Sequence, residues 1–205
     1  MGYYLNSKMP ITFFEKERNK RYFVDKSRLL ADLIPVVKEG LSYICITRPR
    51  RFGKTMMANM VGAFFGKGYD SSDIFDSLEI ADNPFYHEHL NRHDVIYIDF
   101  SKCNEGCQNY QDYITDIKEI LREDLHEAFP DVKFRSKGTV NEDLARIFND
   151  TGTRFVFVFD EWDYIFHRDY ITETDKKNYI NFLAVGIAYD FRTGEHHCRI
   201  EEVLI

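Results

Sequence analysis

Thr47-Arg48-Pro49-Arg50-Arg51-Phe52-Gly53-Lys54-Thr55 is the stretch on which the fold turns. Ahead of it, Ser42-Tyr43-Ile44-Cys45-Ile46-Thr47 is a short β-rich run bounded by Gly40 and Pro49, and it reads as a buried strand. Behind it, Met56, Met57, Met60, Val61 and Phe64 recur at helical spacing within Lys54–Phe65. The chain therefore passes from strand through a tight basic loop to a helix within about 25 residues.

The loop has the register of G-x-x-x-x-G-K-[ST], with Arg48 standing where the first glycine belongs. Each retained residue has a chemical reason. Gly53 lets the backbone approach a phosphate, and the N–H groups at the helix start point at it. Lys54 neutralises terminal phosphates, and Thr55 offers a hydroxyl to Mg²⁺. A non-glycine residue forced into a left-handed conformation costs on the order of 1–3 kcal/mol. Pro49 biases Arg48 toward extended geometry, so the strand runs one residue further and the turn begins at Pro49-Arg50. A charge pair at about 4 Å contributes about 4 kcal/mol at an effective dielectric of about 20, so Arg50 or Arg51 beside a phosphate offsets part of the distortion. Pro49, Arg50, Arg51, Phe52, Gly53, Lys54 and Thr55 are the expected nucleotide cradle. A solvated basic turn capping a helix is the other reading.

A second strand–helix unit follows. Asp94-Val95-Ile96-Tyr97-Ile98-Asp99-Phe100 reads as a strand, and Tyr110, Tyr113, Ile114, Ile117, Ile120, Leu121 and Leu125 mark a helix. Arg154-Phe155-Val156-Phe157-Val158-Phe159-Asp160 is a third strand, apolar on both faces, as in the middle of a sheet with helices on each side. The class is α/β with a mainly parallel sheet. Upstream, residues 22–40 predict a helix from about Ser27, with Asp25 or Ser27 as N-cap, Leu29, Leu30, Leu33 and Ile34 on one face, and Gly40 at its end.

The third strand ends in acids. Asp160 is placed to hold Mg²⁺ through water, and Glu161 to orient or deprotonate an attacking water as the catalytic residue. A strand end with exposed acids is common. Here it lies about 105 residues beyond Gly53-Lys54-Thr55 with one strand–helix unit between, as P-loop folds arrange the two motifs.

Composition bounds the remaining choices. With 205 residues, 18 Phe and 13 Tyr against 11 Gly and 5 Pro, the chain has the material for a folded core rather than disorder. No run approaches the roughly 20 apolar residues needed to span a bilayer, and the N-terminus lacks signal-peptide order, so the expected compartment is the cytoplasm, with no membrane partner. Cys45, Cys103, Cys107 and Cys198 are sparse and irregular, and read as reduced thiols. Cys103 with Cys107, and His196-His197-Cys198, make a weak metal pattern without a second ligand pair. His87, His89 and His93 read as surface residues of a polar linker. The net charge of −7 argues against attraction to nucleic acid.

Three segments together carry a resemblance: Tyr22-Phe23-Val24-Asp25-Lys26-Ser27, Ile46 through Thr55, and Phe157-Val158-Phe159-Asp160-Glu161-Trp162-Asp163. They are similar to the bacterial AAA-ATPase-like family, whose members carry a degenerate R-P-R-R-F-G-K-T phosphate loop, many with a PD-(D/E)XK nuclease-like domain behind the ATPase. The resemblance covers roughly residues 10–182 and makes Arg48 a family trait. It implies a three-layer P-loop NTPase-like fold and the cofactors ATP and Mg²⁺.

The tail departs from that pattern. Leu183-Ala184-Val185-Gly186-Ile187-Ala188-Tyr189 and Cys198–Ile205, separated by Asp190–Glu195, predict a β-hairpin similar to the last strands of the nuclease-like domain. The chain thus resembles an internally shortened member, with residues 1–182 as an incomplete AAA core and 183–205 as the hairpin. The sensor strand, helical lid, arginine finger and nuclease residues are expected to be missing. Residues 183–189 are expected to fill the resulting gap beside the phosphate-loop strand as a surrogate strand. Nucleotide binding is therefore better supported than hydrolysis, and a homo-oligomer stays open as the source of the missing groups. The alternatives are a non-catalytic remnant or interaction protein, and, less in keeping with the charge, nucleic-acid processing.

Overall fold

Alternation along two strands organises the molecule. β1 (Asp94–Asp99) and β2 (Phe155–Asp160) pair in parallel, in register from Asp94 with Phe155 to Asp99 with Asp160. The computed structural model describes residues 2–39, 44–46, 52–102 and 106–186. Successive strand side chains point to opposite faces. Val95, Tyr97, Val156 and Val158 accordingly enter one core, while Ile96, Ile98, Phe155, Phe157 and Phe159 enter the other.

Helices cover both faces. On the Val95 side pack α1 (Met9–Arg18), α2 (Arg28–Glu39), α3 (Lys54–Phe65) and the single-turn α4 (Ser72–Phe75) and α5 (Tyr86–His89). On the Ile96 side pack α6 (Tyr110–Ala128), α7 (Val140–Thr151) and α8 (Glu173–Gly186). The molecule is α/β, as expected from the order of apolar runs. No helix among the described residues is long and apolar enough to cross a membrane.

Local chemistry sets the helix limits. Asn109 accepts from the Asp112 N–H at 2.9 Å to start α6, whose Ile114, Ile117, Leu121 and Leu125 form one buried face. Thr139 and Glu142 form a reciprocal capping box at α7, and Gly152, at φ 71°, ends it. At α3, Gly62 permits close approach, because a Cβ there would lie 2.8 Å from Cβ of Pro10 and 3.2 Å from the Tyr97 ring. α1 and β1 thus both press directly on α3.

The N-terminal segment closes an edge in a way no periodicity announces. The buried carboxylate of Asp124 on α6 accepts from the N–H groups of Tyr3, Tyr4 and Leu5 at 2.8, 2.6 and 2.9 Å. Held there, the segment bonds antiparallel to β1, Asn6 N–H to the Val95 carbonyl at 2.7 Å and Tyr97 N–H to the Tyr4 carbonyl at 3.0 Å. Unpaired backbone on that side of β1 is thereby covered.

Several expectations change. Leu183–Gly186 is not a strand but the last turn of α8. Tyr179, Phe182 and Leu183 fall at helical spacing and enter the same core, so the apolar run continues a buried helix face; short apolar runs read alike for either element. The surrogate-strand idea fails for these residues, and the rest of the expected hairpin lies outside the described residues. His89 is buried rather than on the surface. Its ring stacks on His93 with a nitrogen–nitrogen distance of 2.9 Å, and both rings meet Phe65 edge-on. Ser27 stands immediately before Arg28, the first residue of α2, and its hydroxyl accepts from the Ile80 N–H at 3.1 Å. Of the strand expected before the phosphate loop, Ile44–Ile46 are described: Ile44 and Ile46 pack on the α3-side core and Cys45 is exposed.

Candidate functional site

Gly53 opens α3 in the left-handed conformation, φ 80° and ψ 32°, which glycine adopts without steric cost. Lys54 and Thr55 are the first two residues of the helix, half-buried and exposed respectively. Gly53, at the N-cap, has no side chain with which to cap this end. Its leading N–H groups therefore have no intrahelical partner, and the helix dipole adds positive potential in the same place. Phe52, just before, is 60% exposed. Its carbonyl accepts from Nζ of Lys26 at 3.1 Å.

The acidic strand end meets this turn. Alternation puts Asp99 and Asp160 on the same face of the sheet as Val95 and Val158, the face against which α3 packs. Asp160 is fully buried. One carboxylate oxygen, Oδ1, accepts the Glu161 N–H at 3.1 Å; the other, Oδ2, has no hydrogen-bond partner among the described residues. Burial pushes this carboxyl up to about 6, the Thr55 side chain reaching it as a donor pulls it down, and the charges of Asp99 and Glu161 raise it again. The threonine of the loop and the acid of the strand are thus in contact range, although 105 positions separate them.

Glu161 is half-buried and left-handed, at φ 51°. A non-glycine residue there stores strain on the order of 1–2 kcal/mol. A turn that follows directly holds it, with the Tyr164 N–H donating to the Glu161 carbonyl at 2.9 Å. The buried Tyr179 of α8 donates its hydroxyl to the Trp162 carbonyl at 2.7 Å, fastening the same turn from behind.

Of the residues expected at the site, Phe52, Gly53, Lys54, Thr55, Asp160 and Glu161 are placed, and Pro49, Arg50 and Arg51 lie outside the described residues. Cys103 and His196-His197-Cys198 also lie outside them, and the described residues contain no group of three or more His, Cys, Asp or Glu able to hold a metal by themselves. Two neighbours escaped the sequence reading. Asp99 ends β1 as Asp160 ends β2, a parallel that the two strands' spelling already contained. Its Oδ2 pairs with Lys102 at 2.8 Å, and its Oδ1 accepts from the Ser101 N–H at 3.1 Å and hydroxyl at 2.6 Å. Lys26 sits inside a quoted motif, but nothing in its spacing pointed to Gly53.

A family model described as a predicted AAA-ATPase, AAA-ATPase_like, matches residues 9–186. The chain belongs to the AAA-ATPase-like family. The matched span runs from the first residue of α1 to the last of α8, so an AAA-ATPase-like unit contains both the Gly53-Lys54-Thr55 turn and the Asp160-Glu161 strand end. No curated protein and no solved structure matches the chain.

Proposed function

We propose that the chain is a P-loop nucleotide-binding module with a three-layer, incomplete AAA core that takes ATP with Mg²⁺. One observation carries this reading. A fully buried carboxylate, Asp160, has an oxygen without a partner among the described residues, and the side chain of Thr55, which follows Gly53-Lys54, comes close enough to favour the charged form of that carboxyl. Buried anions without hydrogen bonds are costly. A carboxylate and a hydroxyl at a helix start that attracts anions suit a hydrated divalent cation bridging to phosphate. The residues therefore fit the group: Thr55 and Asp160 would hold Mg²⁺, which would neutralise phosphate charge when bound.

The chain's own groups divide the remaining work. The backbone N–H groups at Gly53-Lys54-Thr55, with the expected Pro49, Arg50, Arg51 and Phe52, bind and orient the phosphates, and Lys54 supplies a point charge. Glu161 stands one residue beyond the metal acid, where a carboxylate can orient a water and accept its proton. Binding needs only these groups. Turnover also needs cationic groups that complete the transition-state charge, and in a homo-oligomer a neighbouring copy supplies them.

The test is a titration of ATP and GTP, with and without Mg²⁺, followed by melting temperature. A rise that depends on Mg²⁺ in the parent and vanishes in Lys54→Ala is expected; ligand at about 100 times its Kd stabilises by about 2.7 kcal/mol. A parent protein whose melting temperature ignores nucleotide would leave the fold and remove the function.

A further inference from the structure

We propose that Lys26, from outside the phosphate loop, supplies a second ammonium to the phosphates bound at Gly53-Lys54-Thr55. The inference rests on the nucleotide reading and deepens it. Asp25 and Ser27, the residues on either side, are clamped. Asp25 accepts from the Ser27 N–H at 2.7 Å through Oδ1 and from the Glu79 N–H at 2.8 Å through Oδ2. The fully buried Ser27 hydroxyl accepts from the Ile80 N–H. Lys26 therefore projects from a base tied to the turn Glu79–Asp82 rather than from a free strand end.

Its amine ends over the turn. Nζ donates to the Phe52 carbonyl and stands 3.3 Å from the point a Cβ on Gly53 would occupy. An ammonium has three donors, and among the described residues one is used, on Phe52. Among the described residues no carboxylate forms an ion pair with it. A charge held at a helix start that already attracts anions raises the local potential further, and its remaining donors are available to phosphate oxygens. Lys54 approaches from α3 and Lys26 from the segment before α2, so the two cations come from separate elements. Gly53 between them is required twice, once for its φ and once for the space the Lys26 amine fills.

The experiment measures affinity for ATP·Mg²⁺ and for inorganic tripolyphosphate in the parent, Lys26→Gln, Lys26→Arg and Lys54→Ala, with ligand-free melting temperatures alongside. Glutamine keeps a donor for the Phe52 carbonyl but no charge; arginine keeps both. We expect Lys26→Gln to bind both ligands about tenfold more weakly or worse, with Lys26→Arg restoring most of the affinity. Equal affinity of Lys26→Gln and parent, with or without a lowered ligand-free melting temperature, makes Lys26 a structural prop and overturns the inference while the nucleotide reading stands. A parent that binds neither ligand overturns both.

Discussion

Asp99 and Asp160 are register partners at the carboxyl ends of two parallel strands, and both carboxylates lie on the face that α3 covers. Asp99 is held by Lys102 and Ser101, whereas Asp160 has an oxygen with no partner among the described residues. The arrangement separates two like acids into different roles. Among the described residues, protein groups satisfy both oxygens of Asp99 and one of Asp160.

That separation has a pH signature. The Asp160 carboxyl titrates at about 6 in the folded protein, against about 3.9 in an unfolded chain. The raised value means that its contribution to stability is fully present below about pH 4 and is lost as pH rises through about 6. Thr55 and the Glu161 N–H oppose this shift, and Asp99 and Glu161 add to it. Asp160→Asn should melt above the parent at pH 8 without Mg²⁺, by several degrees for an effect on the order of 2 kcal/mol, and the gap should close at pH 4. Added Mg²⁺ should raise the parent alone. Melting curves at the two pH values decide it, and a gap independent of pH would contradict the account.

Glu161 carries strain that a smaller residue relieves. Near pH 4, where the Asp160 carboxyl is protonated and does not repel a neighbouring charge, Glu161→Asn or Glu161→Gly should raise stability by about 1 kcal/mol, since both tolerate positive φ, while Glu161→Gln should leave it unchanged. All three should retain nucleotide binding and lose about 100-fold or more of any hydrolysis the parent shows. Denaturant midpoints and phosphate release read the two effects separately, and a stabilising Gln would show that strain is not the cause.

Gly53→Ala combines two insults. Its φ of 80° and the Lys26 amine 3.3 Å from the new methyl both oppose a side chain. We expect a stability loss of about 1–2 kcal/mol and no thermal response to ATP·Mg²⁺. An unchanged nucleotide response would show that the loop keeps its shape without that conformation.

Asp124 is the anchor of the N-terminal edge. Removing its carboxylate in Asp124→Ala abandons three backbone N–H groups, those of Tyr4 and Leu5 in a buried setting, which should cost about 3 kcal/mol. Amide exchange should accelerate first at Asn6 and Tyr97, whose bonds join the segment to β1. Protection that falls uniformly instead would mean that the edge does not open by itself.

How much of this could be read in advance depends on range. Lys54–Phe65 and Tyr110–Ala128 were legible because helix faces are written at spacings of three and four, and β1 and β2 because uninterrupted apolar runs end at acids. Gly53-Lys54-Thr55 and Asp160-Glu161 were legible as motifs. The helical turn Leu183–Gly186 was misread because a short apolar run has no period of its own, and packing beside Tyr179 and Phe182 settles it. The burial of His89 was hidden for the same reason, since its partners Phe65 and His93 belong to other elements.

Local order along the chain therefore dictated an α/β fold, its helix starts and the chemical types at its Gly53-Lys54-Thr55 turn, because these follow from interactions between residues a few positions apart. Folding in three dimensions chose which groups would share a site. It set Lys26 over Gly53, Thr55 against Asp160, and Asp99 beside them, and it tied the first residues to Asp124. Such contacts join positions far apart in the chain, and their existence depends on burial, register and the closing of long loops, none of which a single segment contains.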